Sequence, residues 1–371
     1  MSYFENKSIT FIGDLNMSTL IFSNFSNMNS NKIFILGVKI LTIILTALLN
    51  GILIYIFGFS IKKKSFSNLI FLSIAISDFI IGSLSMSSQV ILDNLEEWPF
   101  DKFSCLISVY FQYAIPDTTI FALLVLAIHR YIQLKSPFNV SERINKLNLI
   151  KLFSAWVIPT TFWIGSICFF ILNNQFSIKK CNIEPSIKFK TIKVTLFGLL
   201  PLFSIIVLNI LLMKGLNKKG KRFSTKRKIK KKEMDKEDTN SLIEHQPVKT
   251  YTIANNMVDA ECDKHDYHNH ITVSFNVVHS KRLKPHKRSI NKDRRAFICI
   301  FALTLSIFFT QIIYLIMWPM PRIRNLEFCV NIIYQIGVWL SYLTSLTNPI
   351  LLCFFHEKVK QEINKFLPKC S

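Results

Sequence analysis

The sequence predicts an all-α membrane protein, a seven-transmembrane helix bundle followed by a short C-terminal amphipathic helix. Three observations predict it. Half of the 371 residues are hydrophobic, and 33 of them are Phe. These residues form long uninterrupted runs, whereas a soluble core would break them with polar positions at helical or strand period. Each run reaches the roughly 20 residues that a helix needs to cross a bilayer. The third observation is where the formal charge of +22 sits, because the basic residues gather between and after the runs. A soluble chain this basic suggests a nucleic-acid partner; here the charge instead reads as loop charge, so no nucleic acid is expected.

The runs lie at 33–59, 66–92, 103–134, 149–172, 191–213, 296–318 and 328–355. Lys62, Lys63 and Lys64 separate the first two, and Lys135, Arg143, Lys146 and Lys151 lie around the junction of the third and fourth. Segment 214–295 holds 22 Lys or Arg against 10 Asp or Glu, and Lys358, Lys360, Lys365 and Lys369 follow the last run. Seven spans put all four basic segments on one side, which the positive-inside rule makes cytoplasmic. The expected address is the plasma membrane, with membrane lipid as a partner, the N-terminus outside and the C-terminus inside. Residues 1–10 carry Glu5 and Lys7 and lack the layout of a signal peptide, so the first span is expected to direct insertion.

The other side offers an independent check. Asn6, Asn16 and Asn24 each begin an Asn-x-Ser glycosylation sequon in the tail 1–32, which fits an extracellular segment. Lys179, Lys180, Lys188, Lys190 and Lys193 run against the charge rule, since this topology places them in or beside an outside loop. The division is then a tail 1–32, a transmembrane domain 33–355 and a cytoplasmic helix and tail 356–371. Segment 214–295 has the composition of a disordered linker. Its basic ends lie on anionic lipid or continue the flanking helices. Cys262 with His265, His268 and His270 is read as part of that linker in preference to a metal cluster. Eight scattered Cys without CxxC spacing give neither a disulfide scaffold nor a metal site. No metal, cofactor or catalytic residue is expected.

Three features carry chemistry. Asp78 lies mid-span, where an ionisable side chain is costly and marks a functional site by default. Asn50 and Asn348 occupy similar depths, so the three share an ion or water network, or Asp78 holds helices together. Cys105 begins the third span and Cys181 lies in the following outside loop, so an oxidising exterior would let them bridge across the bundle mouth. Arg130 closes the third span in His129-Arg130-Tyr131, 25 residues after Cys105.

With Ser-Ile-Ala-Ile-Ser-Asp78, Trp98-Pro-Phe, Trp156, Pro201 and Asn348-Pro349 added, the sequence resembles rhodopsin-family G-protein-coupled receptors in every span but the sixth. The stretch from Trp339 through Tyr342 and Ser345 to Asn348-Pro349 is most similar to the amine branch, muscarinic acetylcholine and histamine receptors above all. The resemblance covers about 33–213 and 296–367. It implies a receptor, not an enzyme, that passes an extracellular signal to a heterotrimeric G protein, the ligand being an amine-type transmitter. A peptide ligand is the main alternative, because a lysine-rich loop attracts acidic partners. The resemblance implies a ligand cleft at Gln112, Tyr113, Asp117, Trp339 and Tyr342. It implies a polar network of Asn50, Asp78, Thr119, Ser345 and Asn348 with a possible sodium ion near Asp78. It implies a G-protein switch at His129, Arg130 and Tyr131.

Departures from the family pattern shape the expected mechanism. Amine receptors carry Asp where this chain has Gln112, and a neutral amide gives no charge-assisted pair with an ammonium. Asp117, about a turn deeper, either serves as the anion or pairs within the bundle. Tyr113, Trp339 and Tyr342 either hold a cation on their faces or only pack between helices. His129 replaces the acid that normally restrains the following Arg. Gln311 and Ile313 replace Trp and Pro in the sixth span, Asn209 a Tyr in the fifth, and Leu352 the Tyr after Asn348-Pro349. Without the Pro, the sixth helix is expected to lack a kink. A binding-only receptor therefore stands beside the signalling one. A transporter would show repeats and interrupted helices in matching halves, and an enzyme an intramembrane nucleophile or metal set; neither pattern is visible.

Overall fold

The structure is a computed structural model that describes residues 29–62, 65–95, 97–135, 146–243, 278–320 and 327–366. Seven helices among these are long and apolar enough to cross a membrane. They are α1 Ser30–Ser60, α2 Phe66–Leu95, α3 Lys102–Lys135, α4 Lys146–Leu172, α5 Ile187–Arg222, a sixth ending at Met317 and a seventh ending at Phe355. The helix of α5 continues to Ile243. The sixth helix, α6, runs over Val278–Met317, α7 over Glu327–Phe355, and a short α8 over Glu357–Phe366. Two two-residue strands, β1 Phe176–Ser177 and β2 Asn182–Ile183, pair antiparallel between α4 and α5.

Local chemistry starts several of these helices. The Ser65 hydroxyl accepts from the Asn68 backbone N–H at 3.3 Å, and that of Ser186 from Phe189 at 3.3 Å. Asp101 does the same ahead of α3, accepting from Phe103 at 2.8 Å and Ser104 at 3.3 Å. Each satisfies a donor that a helix start leaves open. Hydrogen bonds, those from Ser104 first, hold the Asp101 carboxyl below the usual carboxylate range. Three π-helical turns interrupt the spans at Ile56–Ser60, Ile81–Ser85 and Val194–Leu199, and each contains a glycine. At Gly82 a side chain would meet Thr46 Cγ2 at 2.8 Å, so the glycine lets α2 approach α1. Within the spans, Pro116, Pro159 and Pro349 lie inside helices.

The chain divides into two compact units, residues 1–213 with 295–371 and residues 214–294. The first is the bundle. Large apolar side chains such as Phe34, Phe59, Phe153, Phe203 and Phe354 face outward from it, as a lipid-facing surface requires. Trp163, Phe57, Phe66 and Phe170 are fully buried. Polar groups bond between helices where no water competes: Trp156 Nε1 donates to Ser73 Oγ at 2.7 Å, Tyr110 pairs with Thr160 at 3.0 Å and Ser77 with Thr118 at 3.2 Å. In α8, Val359 is fully buried and Ile363 packs on the same core, while Glu362 bonds Ser60 and Lys365. That one-sided burial is the amphipathic helix expected after the bundle.

Of the two alternatives for the basic ends of segment 214–295, helix is found, continuing α5 over 214–243 and leading into α6 over 278–295. Lys, Arg and Glu are good helix formers and crowd both stretches. Residues 244–277, with Cys262 and its neighbouring histidines, lie outside the described residues, as do the sequons at Asn6, Asn16 and Asn24. The fifth span also begins earlier than its apolar run, at Ile187 in place of 191, and Lys193 is buried in the bundle.

Candidate functional site

Cys105 and Cys181 are bonded with their Cα atoms 5.4 Å apart, tying α3 to the strand pair. Beside that bond the Trp98 backbone N–H donates to Lys179 O at 2.8 Å, and Lys179 pairs with Glu97 at 2.7 Å on the exposed surface. Hydrogen bonding to Glu97 raises the Lys179 pKa above its ordinary value. Cys329 holds a free thiol.

Below this end of the bundle a cleft of about 600 Å³, counted with its opening, lies between α2, α3, α5, α6 and α7. Gln112, Tyr113, Asp117 and Tyr342 line it together, so four of the five residues expected there meet. Trp339 is the exception. It packs edge-on against Tyr342 at 5.7 Å and turns its Nε1 to Asp93 at 3.2 Å. The Lys39 ammonium lies 4.6 Å from its ring centre, so the face expected to hold a ligand cation already holds one.

Asp117 pairs within the bundle. Its Oδ1 lies 3.2 Å from Lys193 Nζ, with side chains 3% and 5% exposed, and its Oδ2 accepts from Trp163 Nε1 at 2.8 Å. The Lys193 ammonium is also 5.6 Å from the Trp163 ring centre and 5.5 Å from that of Trp318. Tyr113 stacks on Trp163 at 4.8 Å and bonds Asn182 Oδ1 at 3.2 Å. The second carboxylate nearby is matched as well: Asp93 takes Lys39 at 2.7 Å, Gln89 at 2.8 Å and the Trp339 indole. Gln89 in turn accepts from Gln112 Nε2 at 3.1 Å, so the residue that replaces the family's Asp joins a chain ending at Asp93. Lys193, Trp163, Trp318, Asp93, Lys39 and Gln89 were not singled out as site residues from sequence. The signal was present, since two ionisable residues of opposite sign in separate spans are expected to find each other.

Deeper in the bundle, Asp78 accepts from Ser345 Oγ and Asn348 Nδ2, each at 2.8 Å. Asn50 Nδ2 donates to Ser345 O at 2.9 Å, joining α1 to the same set. Thr119 Oγ1 is buried without a hydrogen-bond partner and faces a small cavity lined by Asp78 and Ser345. The polar residues expected there are therefore gathered around one carboxylate. Next to it, Gln311 Nε2 donates to Ser341 O at 3.4 Å, and Thr310 bonds Thr344 at 2.5 Å.

At the far end of α3, His129 is buried with its ring edge-on to Phe66 at 4.7 Å. Arg130 Nη1 donates to Gln133 Oε1 at 3.0 Å, and Lys135 sits over the Tyr131 ring at 5.4 Å. The other departures from the family pattern are absorbed by packing. Asn209 donates to Thr304 Oγ1 at 2.9 Å across α5 and α6, and Leu352 is 1% exposed. Ile313 packs close to Gly337, and α6 continues as helix through that position to Met317.

Comparison with known proteins agrees with this geometry. The chain is similar to the muscarinic acetylcholine receptor M3 of Rattus norvegicus, 25% identical over 190 residues that cover 48% of this chain and 31% of that receptor. The M3 receptor of Sus scrofa is 27% identical over 191 residues, 48% of this chain and 32% of its own. The D(1) dopamine receptor of Carassius auratus is 26% identical over 148 residues, 39% of this chain and 40% of its own. The chain thus spans between about a third and two-fifths of these relatives' length. Residues 49–352 match the family described as 7 transmembrane receptor (rhodopsin family). A seven-span bundle bridged at Cys105 and Cys181, matched over most of its length, makes this chain a divergent amine-like member of the rhodopsin family of G-protein-coupled receptors.

Proposed function

We propose that this receptor lies in the plasma membrane with its N-terminus outside, takes a ligand in the cleft beside the disulfide, and signals to a heterotrimeric G protein at the Arg130 end. One observation carries the reading: the cleft, the Asp78 set and Arg130 follow one another down the same helices, chiefly α3 and α7. A ligand that favours one arrangement of those helices shifts the population that a G protein meets. The carboxylate of Asp78, with the unpartnered Thr119 oxygen beside it, is a donor set of the hard oxygen type that a sodium ion accepts. Such an ion would bias the resting arrangement.

Likeness to muscarinic and dopamine receptors favours an amine. The cleft disfavours a simple one, because both nearby carboxylates are matched by lysines. A small molecule suits the cleft better than a peptide, since its polar groups are buried among helices. The test is to express the chain in cells and apply amines, amino acids and peptides with calcium and cyclic-nucleotide readouts. A saturable response to a small molecule supports the reading. Responses to peptides alone overturn the ligand part, and protease cleavage of 214–295 from outside intact cells overturns the orientation.

A further inference from the structure

Resting on that reading, we propose that the ligand is a small zwitterion, carrying an ammonium and a carboxylate on one compact frame as an amino acid does. The case begins with the charge balance of the cleft. Asp117 and Lys193 both line it, nearly fully buried and 3.2 Å apart. Asp93, one hydrogen-bonded step away through Gln89, is matched by Lys39. The aromatic faces that would cradle a ligand cation are also taken, Trp339 by Lys39 and Trp163 with Trp318 by Lys193. The protein's own lysines stand where a ligand's ammonium would.

A ligand with one charge cannot take either member of this pair without leaving the other charge behind. An amine that took Asp117 would strand the Lys193 ammonium, and an acid that took Lys193 would strand the Asp117 carboxylate. Breaking a buried pair from one side is strongly unfavourable because the remaining charge loses its partner in low dielectric. A zwitterion exchanges one pair for two: its ammonium meets Asp117, its carboxylate meets Lys193, and the net charge of the site does not change. The approach favours the acidic end, since residues 179–190 hold four lysines against Glu184, Lys179 being paired with Glu97, and a surface with an excess of one sign steers and concentrates its counter-charge. Tyr113, Tyr314 and Tyr342 line the same cleft and suit an aromatic side group.

The experiment uses the full chain in lipid nanodiscs and measures binding of the twenty common amino acids. Each aromatic one is set against its single-charge relatives. L-phenylalanine, for example, is compared with phenethylamine and 3-phenylpropionate. The expected result is saturable binding of at least one amino acid, with its amine and its acid weaker by about a hundredfold or more. The double variant Asp117→Asn with Lys193→Met removes the pair while keeping similar volume, and it should lose that preference while staying monodisperse and disulfide-bonded. Amine or acid binding as tight as the zwitterion overturns the proposal, and so does binding by no amino acid. G-protein nucleotide exchange without ligand, measured on the same preparation, tells failure of this inference from failure of the receptor reading.

Discussion

Asp117 and Lys193 are the residues on which the cleft depends most. Both sit in a medium where an isolated charge is costly, and each is the other's compensation. Removing one partner by Asp117→Asn or Lys193→Met is expected to cost about 3–5 kcal/mol. Removing both should cost much less than the sum, because no charge is then stranded. Thermal denaturation of the two single variants and the double variant in detergent measures that coupling. Additive losses would mean the pair contributes nothing as a pair. Sequence reasoning found Asp117 and left its role open between anchoring a ligand and pairing inside the bundle. It missed Lys193 because an ammonium next to the loop lysines 188 and 190 reads as loop charge. Only the register of α5 distinguishes them, and that register comes from packing.

At the scale of the helices, the long apolar runs and the membrane spans agree closely, because roughly 20 apolar residues leave a chain little choice in a bilayer. What could not be read is how near two helices come. Gly337 is the instance. A Cβ there would lie 3.1 Å from the Tyr314 backbone N and 3.3 Å from its Cα, so α6 and α7 approach backbone to backbone. Gly337→Ala should therefore cost about 1–3 kcal/mol by overpacking, whereas Gly58→Ala, with open space around it, should be nearly neutral. Comparable melting temperatures for the two variants would contradict the close approach. This contact also gives α6 a fixed neighbour at Ile313, the position where the family pattern has a proline. The lysine-rich ends of 214–295 continue the flanking helices for a reason of composition. Low hydrophobicity signals weak burial, yet Lys and Glu keep high helix propensity, and a helix already formed in the membrane extends more easily than one that must nucleate.

The junction of α7 and α8 belongs to the same scale. His356 packs between Phe57 at 5.4 Å and Phe71 at 5.2 Å, and its Nδ1 accepts from the Val359 backbone N–H at 3.4 Å. Burial pushes its pKa down to about 4 from 6.5, and the positive charges of Lys358 and Arg130 add to the effect. The fold thus accommodates the neutral ring, while the unfolded chain takes up a proton first. Its contribution is complete above pH 6.5 and is lost as pH falls through that window to about 4. The whole window is on the order of 3 kcal/mol. Melting temperatures at pH 7 and pH 4.5 should differ more for the native chain than for His356→Gln. Equal differences would show that the imidazole plays no part.

On the scale of the whole molecule, one set of helices joins a cleft, a buried carboxylate and an arginine motif, and this is the part most legible in sequence. Cys105 and Arg130 are separated by 25 residues of one helix, so their spacing carries three-dimensional information, and Asp78 and Asn348-Pro349 stand inside two other spans. The departures from the pattern were equally visible, but what fills their places was not. Asn209 finds Thr304, Gln311 finds Ser341 and Leu352 is buried, each a contact between spans that no local pattern encodes. His129 has the largest consequence for signalling. A carboxylate beside Arg130 would restrain it by a charged hydrogen bond, whose loss shifts an equilibrium by about 1.5–3 kcal/mol. With imidazole there, the resting state is expected to be held less firmly, which would raise the population of the signalling state without ligand.

Guanine-nucleotide exchange tests this most directly. The full chain, reconstituted in nanodiscs with each class of heterotrimeric G protein and no added ligand, is compared with His129→Asp and Arg130→Ala. The native chain is expected to accelerate exchange on at least one heterotrimer, His129→Asp to lower that basal rate by about tenfold or more, and Arg130→Ala to abolish it. No acceleration on any heterotrimer, with His129→Asp indistinguishable from the native chain, would contradict that expectation and make this a receptor that binds without signalling through G proteins.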